Sequence, residues 1–104
     1  MIAPRETIDQ QLKLPVPPSG TREWRQWQDD WRAIGAGAAP ALIDVLEHGS
    51  ENEQYSAVLA LRLFGYEVWG DGYGPDLIYR LTEPGAHEAR TIKPKITPEL
   101  HTPP

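Results

Sequence analysis

The stretch that decides how this chain is read is Pro75-Asp76-Leu77-Ile78-Tyr79-Arg80-Leu81. It matches Pro40-Ala41-Leu42-Ile43-Asp44-Val45-Leu46, 35 residues earlier, as P-x-L-I-x-x-L. The segments before each copy also correspond. Trp31-Arg32-Ala33-Ile34-Gly35 and Leu61-Arg62-Leu63-Phe64-Gly65 both read apolar-Arg-apolar-apolar-Gly, 30 residues apart. The junction Gly35 to Pro40 is five residues long and Gly65 to Pro75 is ten, so a five-residue insertion explains the change of register. Self-similarity of this kind is the mark of a repeat architecture.

Working outward, the spacing predicts four helices. Thr21 suits an N-cap, and Trp24, Trp27, Trp31 and Ile34 follow within an arc of about 80°, an amphipathic stripe that Gly35 ends. Pro40 suits the first turn of a second helix, with Leu42, Ile43 and Leu46 on its apolar side. Ser50-Glu51-Asn52-Glu53 reads as a capping box opening a third helix, which runs through Tyr55, Val58, Leu59 and Leu61 to Phe64. Its apolar positions cover a wide arc, so it is expected to pack on more than one side. Gly70, Gly72 and Gly74 make a loop, and Pro75 is expected to open a short fourth helix that Pro84-Gly85 stops.

The pattern resembles the HEAT repeat, including the short bacterial HEAT-like repeats, over residues 21–83. In that family Pro-apolar-Leu-Leu/Ile helices alternate with alanine- and leucine-rich helices ending in glycine. The Trp-rich first helix departs from this, as a specialised cap would. The resemblance implies an all-α fold: a small helical-hairpin solenoid of four helices. A Pro-rich N-terminal arm (1–20) and a Pro-rich C-terminal arm (84–104) flank it, since nine of the eleven prolines lie in those ends. Stacked helix pairs bury their faces against neighbours, and about three repeats are usual. Two bury too little, so at least one arm is expected to lie against the stack. The Pro15 to Pro18 segment matches PxxP, and a rigid leader is its plainer reading.

Composition narrows the function. The chain has no cysteine, which removes disulfides and thiolate chemistry. Net charge is −5. Residues 19–83 hold eleven acidic side chains against five basic ones, a balance opposed to nucleic-acid binding. No stretch approaches the roughly 20 apolar residues of a membrane span, and the start lacks a signal-like apolar run. A cytoplasmic protein is the expectation. His48, His87 and His101 have no metal-ligand spacing, and no serine has a triad pattern.

The expected function is therefore non-catalytic: a protein–protein interaction module with no cofactor and no metal. The HEAT resemblance implies contact through a helical face or the inter-helix loops. Trp69, Asp71, Tyr73, Asp76 and Tyr79, in and beside the glycine-rich insertion, have the composition of such a surface. The acidic balance suits a basic partner, and one specific version is an immunity or inhibitor protein. Two alternatives stand beside it. One is a small-molecule or metal-binding enzyme using loop 70–76, with Asp71 and Asp76 on a cation. The other is an oligomerisation unit in which a second copy completes the stack. The Trp24, Trp27, Trp31 stripe reads first as a core or cap face, and second as an exposed partner patch.

Overall fold

The computed structural model describes residues 4–95. Residues 1–3 and 96–104 lie outside the described residues, and with them His101 and the end of the expected C-terminal arm. The element order is α1 (Arg5–Leu12), α2 (Arg22–Ile34), α3 (Ala39–His48), α4 (Glu51–Leu63), β1 (Glu67–Asp71), β2 (Ile78–Thr82) and β3 (Arg90–Ile92).

The three strands form an antiparallel sheet in the order β1-β2-β3, with Val68 opposite Leu81 and Tyr79 opposite Ile92. This overturns the all-α solenoid: the fold is a mixed one, four helices followed by a meander. The expected fourth helix does not form. Pro75 sits in a three-residue 3-10 turn, Gly74–Asp76, and Leu77 is already extended with ψ 133°. The physical reason lies in Ile78-Tyr79-Arg80-Leu81-Thr82, which is rich in β-branched and aromatic residues and alternates. Tyr79 and Leu81 are buried, while Arg80 between them is exposed. Leu77, Ile78 and Leu81 have helical spacing, while Leu77, Tyr79 and Leu81 have the two-residue spacing of a strand. A helix of about seven residues gains little by itself, whereas a strand buries Leu81 against Val68. Gly72 supports the turn with φ +93°, and a Cβ there would stand 2.7 Å from the Asp76 carbonyl oxygen.

The helical half follows its caps. Thr21 Oγ1 accepts from Trp24 N at 3.1 Å. At the start of α4, Ser50 N donates to Glu53 Oε1 (2.9 Å) and Glu53 N donates to Ser50 Oγ (3.3 Å), a complete capping box. Gly49 joins α3 to α4 in little room: a Cβ would meet Val45 Cγ1 at 2.6 Å. The segment expected as an N-terminal arm contains α1, which buries Ile8 and Leu12 one helical turn apart.

One core cluster takes side chains from all four helices and all three strands. Trp27 and Trp31 are inside it and Trp24 packs on its edge, so the tryptophan stripe is core rather than an exposed patch. Trp24 stacks on Trp27 at 5.2 Å between centroids, and Trp27 meets Trp31 edge-on at 6.4 Å. The C-terminal segment closes the far side: Pro94 is buried, and Lys95 N donates to Glu47 O at the end of α3 (2.6 Å). Lys93 Nζ donates to the carbonyls of Pro75 and Leu77, tying the end of β3 to the start of β2. Among the described residues no helix is long and apolar enough to cross a membrane.

Candidate functional site

Helix α4 and the β1–β2 hairpin meet through two polar ties. Gln54 is fully buried, donates to Gly49 O (2.9 Å), and accepts from the Tyr79 hydroxyl (2.8 Å). Arg62 reaches from the other end of α4 and donates through Nε (3.0 Å) and Nη2 (2.7 Å) to Val68 O. Its guanidinium carbon stands 5.9 Å from the Trp69 ring centroid. These bonds hold the hairpin at a fixed distance from the helix, and a groove of about 600 Å³ lies between them.

Tyr55, Leu59 and Arg62 form the helical wall, at the i, i+4 and i+7 spacing of one stripe. Tyr73, Leu77 and Tyr79 form the hairpin wall. Gly70, Gly72 and Gly74 also line the groove and place no side chain in it. Tyr73 is 89% exposed and Tyr55 58% exposed, large values for aromatic residues. Glu51 stands at the α4 end of the groove. Residues 51–80, which build both walls, carry five acidic and two basic side chains. One of the two, Arg80, pairs with Asp71 at 3.3 Å.

The residues expected to form a single contact surface divide between two faces. Strand alternation sets Trp69, Asp71 and Arg80 on the side of the sheet opposite Val68 and Leu81, where Trp69 is 57% exposed. Tyr73 belongs to the groove, and Asp76 is exposed in the turn before β2. Tyr79 lies at the groove floor, 8% exposed, with its hydroxyl committed to Gln54. The sequence reading missed Glu51, Tyr55 and Leu59. A signal for them was present in the stripe 55, 59, 62, which flanks the buried stripe 54, 57, 58, 61.

Loop 70–76 brings no ligand shell together: Asp71 turns to Arg80, and among the described residues no group of three His, Cys, Asp or Glu side chains could hold a metal ion. Burial, and after it the Glu51 charge, raise the Tyr79 hydroxyl above its ordinary pKa. The unfolded chain then releases this proton first, at about pH 10. Stability is therefore fully present below that pH and declines as pH rises through the folded-state value. Tyr79→Phe is expected to flatten this alkaline decline and to cost about 1 kcal/mol at neutral pH through the lost hydrogen bond. Denaturant midpoints measured between neutral and strongly alkaline pH check both.

Compared with protein-family models, curated proteins and solved structures, the chain matches none.

Proposed function

We propose that this chain is a non-catalytic protein-contact module, and that the groove between α4 and the β1–β2 hairpin receives a basic partner protein. The observation that carries this reading is the exposure of Tyr55 and Tyr73 on facing walls of one groove. Exposed tyrosines give large contact area at small entropic cost and are enriched where proteins meet. Glu51 at the end of the groove, with the net charge of −5 of the whole chain, supplies the sign of the partner, since Arg62, the other charged residue of the lining, is turned to Val68 O. An inhibitor that blocks a basic enzyme is the specific version that this charge favours.

The test is affinity capture from the native cells with two baits, the wild-type chain and the double variant Tyr73→Ala/Glu51→Lys. Both substitutions are at exposed positions, so circular dichroism should find the variant folded. A basic protein held by the wild type, released by added salt and lost by the variant is the expected result. Equal retention by both baits would remove the groove from the function.

A further inference from the structure

We infer that the occupant of this groove is an extended, proline-containing segment of the partner that carries at least one Lys or Arg. The inference rests on the contact-module reading and names the partner's chemistry. The first observation is that the chain already lays such a segment beside Tyr55. Lys13, Leu14, Pro15 and Val16 line a second groove, of about 610 Å³, on the α4 surface. Asn52 and Tyr55 line both grooves, so Tyr55 stands where the two adjoin. Residues 15–18 there form neither helix nor strand, and Val16 packs against the core. On one side, Tyr55 and the chain's own proline-rich stretch are opposite walls of one groove; on the other side, Tyr55 faces the groove of the β1–β2 hairpin.

The hairpin side has the matching chemistry. Proline-rich segments dock in aromatic-lined grooves because their extended helix is preformed and loses little entropy on binding. Tyr55 and Tyr73 supply two such faces, and Leu77 lies beside them. From Asn52 to Arg62 the wall is about 15 Å long at the helical rise, which an extended polyproline segment covers in about five residues. Glu51 takes part in no ion pair among the described residues, and it stands where a Lys or Arg of the segment would end. Charge also selects the source. Residues 96–104 of this chain include Glu99 and no Lys or Arg. Lys13 of a second copy stands in a stretch anchored to that copy's own core through Val16.

The experiment titrates the full-length isotope-labelled chain with a synthetic eight-residue peptide of prolines and leucines bearing an arginine at each end. Two control peptides replace the arginines by glutamates, or the prolines by glycines. Expected are amide and ring shifts confined to Asn52, Tyr55, Gly72 and Tyr73, with affinity about tenfold weaker for each control and for Tyr73→Ala. Absence of shifts at millimolar peptide, equal binding of a control, or shifts centred elsewhere would overturn the inference. So would shifts at Tyr55 and Tyr73 on concentrating the protein alone, or on truncating after Lys95, since these assign the groove to a second copy or to residues 96–104. If the peptides fail while Tyr73→Ala/Glu51→Lys still loses its captured partner, the contact module stands and the extended segment falls.

Discussion

Trp31→Ala is expected to lower stability by about 3–5 kcal/mol, read as a shift of the urea midpoint followed by far-ultraviolet circular dichroism. Trp31 is 0% exposed, and its ring meets Trp27 edge-on. The helix that carries it packs on α1, on the turn at 36–38 and on α4. With neighbours on these sides, little collapse into the vacated space is available, so the cavity cost adds to the transfer cost. Total stability of a domain this size is about 5–15 kcal/mol, so the loss approaches the whole at the lower end. Trp31→Phe isolates the cause. The Trp31 indole N–H is buried without a hydrogen-bond partner among the described residues, so phenylalanine removes volume and no hydrogen bond. It should cost clearly less than alanine. An alanine variant within about 1 kcal/mol of wild type would contradict the placement of this ring in the core.

Leu81→Ala carries the second large effect, about 2–5 kcal/mol. Leu81 is fully buried on the central strand, opposite Val68 on β1 and Arg90 on β3. Its loss empties the point where the sheet meets the helices and loosens the hairpin wall of the groove. Arg80→Ala, one residue away, removes an exposed side chain that pairs with Asp71 across the strands. It should change stability by about 1 kcal/mol or less. This contrast between neighbours is the signature of an alternating strand. Equal costs at 80 and 81 would speak against it.

The helices α2, α3 and α4 are legible from the sequence because each carries a period and an end signal: the Trp24, Trp27, Trp31 stripe after Thr21, Pro40 near the start of α3, and the Ser50 capping box. Helix α1 escapes that reading. It is eight residues long, buries Ile8 and Leu12 as its apolar pair, and stands between prolines that suggest an arm. The strands escape it for another reason. Leu77, Ile78 and Leu81 suit a helix, Leu77, Tyr79 and Leu81 suit a strand, and the parallel with 40–46 tips the choice toward a helix. The decision belongs to tertiary partners: Val68 and Ile92 can pair with β2 only when it is extended. Gly72 held the missing clue, since a tight glycine turn between two aromatic and β-branched runs is a hairpin signal.

The site was legible to the same degree. Tyr73 stands out because a large aromatic in a glycine-rich loop has little around it to bury it. Tyr55 does not, because a helical tyrosine is read as core until the covering neighbour is known. Here α4 turns Gln54, Ala57, Val58 and Leu61 inward and leaves Tyr55 at the groove. Gln54, a polar residue in the buried stripe, is explained by what the sequence does not display: it joins the α3–α4 junction to the Tyr79 hydroxyl.

The central claim is that a partner protein sits between α4 and the β1–β2 hairpin. Site-specific photo-crosslinking in the native cells reads this directly, with a benzophenone amino acid in place of Tyr73 or in place of Arg25. Arg25 is exposed on α2, does not line the groove, and serves as the control face. A crosslinked basic protein from position 73 and none from position 25 is the predicted result. A crosslink from position 25 with none from position 73 would contradict the account.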